Sequence, residues 1–138
     1  MPTSPSSILA LDVGTVRIGI AVVSLVSRLP HPLTTLPNDD NFTDRLKQIV
    51  ADEAVGTVVV GLPRGLNGQE TSQTTLVREF VAALANHIDM PMPFQDEALS
   101  SNRAKTELAA RGRDYVKGEV DALAATYILE DYLAANEV

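Results

Sequence analysis

Four acids interrupt apolar surroundings in this sequence. Asp12 breaks the run ILALDVGTVRIGIAVV at residues 8–23, where thirteen of sixteen positions are apolar or Gly. Asp96 and Glu97 close the segment MPMPFQDE, and Asp121 sits inside VDALAATYIL. Burying one unpaired carboxylate costs several kcal/mol. Bringing three together costs more, because like charges disfavour ionisation. A divalent cation reverses that sign. Two such ions about 4 Å apart can activate a water and stabilise the leaving oxygen in phosphodiester hydrolysis. That chemistry asks for Asp and Glu and requires neither Cys nor His. The sequence has no Cys and two isolated His, His31 and His87, which read as surface or packing residues. Any metal here is expected to be hard and oxygen-ligated, Mg²⁺ or Mn²⁺.

Each acid also has a structural use open to it. Asp12 could accept backbone N–H groups in the Gly14 turn. Asp96 and Glu97 precede a helix-like segment and could serve as turn and cap residues. Asp121 stands near the start of a helix, where acids complement the dipole. The bases are unevenly spread. Five of the eleven Lys and Arg fall between Arg103 and Lys117 (Arg103, Lys105, Arg111, Arg113 and Lys117), opposed there by Glu107 and Asp114. A solvated helix face explains such a cluster, and so does substrate contact close to Glu97 and Asp121. The loop GLPRGLNGQ lacks the Gly-Lys-Ser/Thr ending of a P-loop.

The elements that must position these groups follow from hydrophobic pattern. ILALDV is a continuous apolar run of the kind found in strands buried on both faces. RIGIAVVS follows across a short Gly-containing turn, which makes a hairpin. HPLTTLP reads as a third strand, placed at an edge by its prolines. NFTDRLKQIVADEAVG predicts a helix capped by Asn41 or Thr43, lined by Leu46, Ile49 and Val50, and ended by Gly56. TVVVGLP is a buried strand. From Thr71 to about His87 the spacing of Leu76, Phe80, Leu84 and Ile88, flanked by Val77 and Val81, predicts another helix. MPMPFQDE is a short strand bounded by Pro. LSSNRAKTELAARG and GEVDALAATYILEDYLAA are helical, the first ended by Gly112; the second has Val120, Leu123, Ala124, Tyr127 and Ile128 as its buried stripe. The order β-β-β-α-β-α-β-α-α predicts an α/β fold. Its mixed five-stranded sheet joins an antiparallel three-strand meander to two parallel strands, with helices on both faces. Sites in such sheets form at the carboxyl ends of the parallel strands. The strand ends after Leu11 and Phe94 can be neighbours there, with Asp121 over the same edge.

At 138 residues the chain reads as one domain spanning 1–138, with residues 1–6 a frayed tail. An apolar content of 45% and a mean hydropathy of +0.06 suit a soluble globular protein. The start MPTSPSS has neither a basic region nor an apolar core, and no apolar run is long enough to span a bilayer, so a cytoplasmic protein without membrane contact is expected. The net charge of −7 argues against a protein that coats nucleic acid through bulk electrostatics, but leaves room for a local basic patch.

Four segments, in this order and at this length, resemble the YqgF family, also called the RuvX family: LDVGTVRIGIAV, VVVGLPRGLNGQET, FQDEALSSNRA and KGEVDALAATYILEDYL. The first alone is shared with sugar kinases, Hsp70 and actin; the four together are specific. The resemblance covers nearly the whole chain and implies an RNase H-like fold and a metal-dependent nuclease. It maps the family's acids onto Asp12, Asp96, Glu97 and Asp121, and basic motif positions onto Arg17 and Lys117. Where the family often has Arg or Lys after Asp-Glu, this sequence has Ala98. The implied activities are processing of the 5′ end of pre-16S rRNA, on precursor ribosomal particles, or resolution of Holliday junctions in branched DNA. The expectation is a phosphodiesterase with two Mg²⁺ or Mn²⁺ ions on Asp12, Glu97 and Asp121, oriented by Asp96. Arg17, Arg64, Arg103, Lys105 and Lys117 would contact phosphates. A monomer or a homodimer is compatible, the dimer suiting two symmetric cuts. Two alternatives stay open: an ATP-binding lobe of the actin and sugar-kinase type, and a non-catalytic RNA-binding module of the same fold.

Overall fold

The computed structural model describes residues 4–97, 106–110 and 117–136. Three strands come first: β1 (Ser7–Val13), β2 (Arg17–Ser24) and β3 (His31–Pro37). After them come α1 (Phe42–Asp52), β4 (Val55–Pro63), α2 (Ser72–Leu84), β5 (Phe94–Glu97), a helical stretch at 106–110 and α3 (Lys117–Ala135). The sheet order is β3-β2-β1-β4-β5. β1 pairs antiparallel with β2, and β2 with β3, while β4 runs parallel to both β1 and β5. The mixed five-stranded sheet is the one the sequence pattern predicts, with β3 and its two prolines at an edge.

Strand alternation divides the core in two. Leu9, Leu11, Ile18, Ile20, Val58 and Val60 point to one face, where α1 and α2 cover them through Leu46, Val77 and Leu84. Ile8, Ala10, Ala21, Val23 and Val59 point to the other, against Ala125, Ile128 and Leu129 of α3. The second face is built from smaller residues, so α3 lies close to the sheet. Closest approach falls at Gly19, where a Cβ would stand 2.0 Å from the Asp121 carbonyl oxygen. At Gly61 a Cβ would stand 2.5 Å from Ile128 Cδ1 and 3.3 Å from the Glu97 carboxyl carbon. Thr35 Oγ1 donates to the Gly118 carbonyl at 2.7 Å and pins the start of α3 to the edge strand.

Element ends differ from the pattern in places. α1 stops at Asp52, with Glu53 as its C-cap and Ala54 in the left-handed region at φ 52°, so Gly56 lies inside β4 and does not end the helix. Pro5 packs where a Gly56 side chain would be, which gives that glycine a different purpose. Asn41 is the N-cap of α1 but makes no side-chain cap bond. Thr71 caps α2 through a reciprocal box with Thr74, and the helix ends at Leu84, three residues short of His87. Pro91 and Pro93 lie beside β4 before β5 begins, their carbonyls accepting from Val58 and Val60. Lacking N–H groups, they accept from the ladder without donating to it.

Filling the closest approach has a measurable cost. Gly19→Ala is expected to lower stability by about 2 kcal/mol or more, because backbone of α3 must move. Gly68→Ala has open space but a φ of +79°, so strain alone is expected to cost about 1 kcal/mol. Thermal melts of the two variants should rank Gly19→Ala clearly lower.

Candidate active site

Asp12, Glu97 and Asp121 line one cavity of about 260 Å³, together with Gly14, Gly61, Pro63 and Gln73. Three elements deliver the acids to it. Asp12 is opposite Gly19 in the β1–β2 ladder, so its side chain points to the α3 face at the very place where Gly19 has none. Glu97 ends β5, paired with Pro63. Asp121 comes down from α3 at the Gly19 contact. The strand ends that carry Asp12 and Glu97 are not direct neighbours, because β4 runs between β1 and β5. Gly61 on β4 leaves the space across which they face each other.

The electrostatics follow from this crowding. Burial, and then the charges of Glu97 and Asp121, push the Asp12 carboxyl from its ordinary 3.8 up to about 8. One Glu97 oxygen, Oε2, is buried. Asp121 is held from the rim: Arg17 Nε donates to Asp121 Oδ2 at 2.6 Å, with side-chain exposures of 36% and 19%. As the side chains stand, no three acidic or histidine groups among the described residues form a set that could hold one ion. The donor set nevertheless fits a hard dication: three carboxyl groups share one cavity, and burial, with the charges of Glu97 and Asp121, already keeps Asp12 protonated near neutrality.

The structural uses open to these acids are largely filled by others. The β1–β2 turn is closed by its backbone, Gly14 N–H donating to the Arg17 carbonyl at 2.9 Å. Asn38 Nδ2 adds a bond to the Gly14 carbonyl at 2.8 Å. The acid in the first turn of α3 is Glu119, so the helix dipole has a partner ahead of Asp121. Capping by Asp96 or Glu97 would fall on residues 98–105, outside the described residues.

Asp96 does not join the other three. Alternation along β5 turns it away from Glu97; it is 68% exposed and accepts from Arg64 Nε at 3.2 Å. Arg64 also reaches Glu70 at 3.8 Å, and Glu70 in turn is bonded by Arg78, whose hydrogen bond holds the Glu70 carboxyl below its usual range. Arg64, Asp96 and Glu97 line a second, wider hollow of about 570 Å³ beside the first. Arg103 and Lys105 lie outside the described residues, as does Ala98. Lys117 opens α3, but its side chain is not among those described. His31 and His87 are both exposed and remote from the acids in the chain's elements. The sequence reading missed Gln73. It lies in the first turn of α2, lines the acid cavity, and donates through Nε2 to the Val13 carbonyl at 3.4 Å. A helix start facing the end of β1 was its available signal.

A sheet of order β3-β2-β1-β4-β5, with acids at strand ends under a closing C-terminal helix, defines an RNase H-like protein. Within that class, a family profile described as "RuvX: Holliday junction resolvase" matches residues 6–135, and this chain belongs to that family. A protein of Chloroflexus aggregans named "Putative pre-16S rRNA nuclease" is 38% identical over 134 residues, 94% of each chain. One of Synechocystis sp. with the same name is 36% identical over 129 residues, 91% of this chain and 85% of its own. Among solved structures, Thermus thermophilus RuvC in complex with a Holliday junction substrate superposes with a TM-score of 0.54 at 15% identity, covering 95% of this chain and 96% of that one. Fowlpox virus resolvase with Holliday junction DNA gives 0.52 at 12% identity, covering 94% and 97%. At those identities the likeness is one of fold.

The raised Asp12 pKa has a thermodynamic consequence. The folded chain binds this proton more tightly than the unfolded one, so its contribution to stability falls as pH rises from 3.8 to about 8. Asp12→Asn carries no such proton. In EDTA, the melting temperature of Asp12→Asn minus that of wild type is expected to grow steadily from pH 5 to pH 8. A difference that stays flat would show that Asp12 titrates normally.

Proposed function

We propose that this chain is a divalent-metal-dependent nuclease, a single RNase H-like domain that processes the 5′ end of pre-16S rRNA. The observation that carries this reading is the convergence of Asp12, Glu97 and Asp121 on one cavity, with Asp12 pushed to about 8 by burial and by the other two. A site with that surplus of negative charge repels a phosphodiester unless a cation lies between them. The rRNA assignment draws on the names of the relatives at 36–38% identity.

Asp12, Glu97 and Asp121 would hold Mg²⁺ or Mn²⁺, most simply as a pair of ions. Held there, such ions would lower the pKa of an attacking water and offset the charge on the leaving oxygen. The chain's own residues do the rest. The Asp12–Gly19 ladder pair fixes the first carboxylate on a central strand, so its position does not depend on a loop. Gly61 keeps the floor of the cavity open, and α2 closes one wall through Gln73. Arg17 stands at the mouth with Asp121 and is suited to a phosphate oxygen of the strand to be cut. Arg64, Arg103, Lys105 and Lys117 would hold flanking phosphates, positioning the strand without reading its bases. Asp96 holds Arg64 and not a metal. The few aromatic residues leave little stacking capacity, which fits a partner recognised through its backbone and through the particle that presents it. Such a substrate would be met in the cytoplasm.

The test is cleavage of labelled pre-16S rRNA and a four-way DNA junction side by side, with Mn²⁺ and with EDTA. Wild type is expected to cut the rRNA precursor with Mn²⁺ only. Asp12→Asn and Asp121→Asn are expected to fall to the EDTA background, while Asp96→Asn keeps most of its activity. Cleavage of the junction instead, by a dimer, would move the substrate to branched DNA. Undiminished cleavage by Asp12→Asn would refute the catalytic site.

A further inference from the structure

We propose that Arg17 is a latch on the acid cluster: its guanidinium competes with a divalent cation for Asp121 and yields the carboxylate when a nucleic-acid phosphate takes its place. Metal and substrate then load cooperatively. This rests on the reading of the cavity as a metal-dependent nuclease site and adds to it the order in which its charges are satisfied.

The two ends of the latch differ in freedom. Asp121 is fixed from behind, because its carbonyl presses on Gly19, where no side chain could fit. Its carboxylate is also the more buried partner. Arg17 opens β2 beside the β1–β2 turn, with over a third of its side chain in solvent. Opening the pair therefore moves the long arm and leaves the carboxylate where it is. The bond engages Nε of a group with five N–H donors, whose planar fork suits phosphate as well as carboxylate.

Charge makes the competition unavoidable. A dication on Asp121 would share one carboxylate with the guanidinium whose Nε lies 2.6 Å from Oδ2, and two cations on one partly buried carboxylate repel each other. With Arg17 on Asp121, one carboxylate oxygen of the cavity is already committed to a cation. Swinging Arg17 outward removes that repulsion and delivers a positive charge to the rim, where a phosphate approaches the same cavity. Linkage then makes the effect mutual: whatever factor the phosphate adds to metal affinity, the metal adds to nucleic-acid affinity.

The experiment uses the whole chain and reads binding, not cleavage. Mn²⁺ affinity is measured by electron paramagnetic resonance without nucleic acid for wild type, Arg17→Gln, Arg17→Lys and Asp121→Asn, with circular dichroism checking the fold. Arg17→Gln is expected to bind Mn²⁺ at least about fivefold tighter than wild type, the low end of ordinary coupling. Arg17→Lys, which keeps the charge, should stay near wild type, and Arg17→Ala stands in for the glutamine variant if that one misfolds, with the same tightening expected. The gain should vanish when Arg17→Gln is combined with Asp121→Asn. Anisotropy of a labelled single-stranded RNA should show a larger tightening by Ca²⁺, relative to EDTA, in wild type than in Arg17→Gln. Equal or weaker Mn²⁺ binding by Arg17→Gln overturns the latch and leaves the nuclease reading standing. Absence of Mn²⁺ binding in every protein overturns both.

Discussion

The burial of Asp12 beside two further acids is the constraint around which this molecule is arranged. An isolated acid at Asp12 could have turned toward water or taken a backbone donor. Instead it is held on a central strand, facing the helix that covers it, where burial, and then the charges of Glu97 and Asp121, drive its proton affinity upward. The sheet gives none of the three an easy way to relax. Arg17 offsets part of the charge from the rim. Structures persist in such a condition only when surrounding packing over-determines it.

That packing is divided between the two faces of the sheet. Large aliphatic residues fill the face under α1 and α2: Leu9, Leu11, Ile18 and Ile20 are fully buried there. The opposite face gives up volume. Ala10, Gly19, Ala21 and Gly61 make a shallow lane into which α3 settles, and only because it settles does Asp121 reach the cavity. One face thus supplies most of the apolar burial, and the other uses its small residues for placement. Net stability is a small difference between large terms, so the acid cluster is tolerable only against a core of that kind.

Much of this was legible in the sequence, and what was not has identifiable causes. The strands and the mixed sheet follow from local apolar runs, and Asp12 stands out because its neighbours are all apolar. Asp121 is visible from its place among the buried residues of its helix. The intervening β4, by contrast, is a matter of strand order, which no local pattern carries. Gly19 and Gly61 read as ordinary strand glycines until α3 is laid over them. The Arg17–Asp121 bond joins residues 104 positions apart. The chain's turn out of α1, just past its end at Asp52, uses a left-handed Ala54 that is not Gly, which composition does not signal. Asp96 and Glu97 look equivalent as a pair; strand parity separates them, and parity is decided by how β5 registers on β4.

The same parity sorts the positive charges. Next to Glu97, Asp96 faces Arg64 at the wider hollow, and with Glu70 and Arg78 they form a four-membered ionic network. Two bases are matched there by two acids, and the exposed pairs are screened by solvent. Arg17 is matched differently. Its partner belongs to the acid cluster, so its charge is tied to the cavity where phosphodiester chemistry would occur. A chain with a net charge of −7 has no general attraction for a polyanion. Its grip on one must come from particular cations whose existing partners gain when they let go. Arg17 satisfies that condition, because Asp121 would exchange a single charge for a double one.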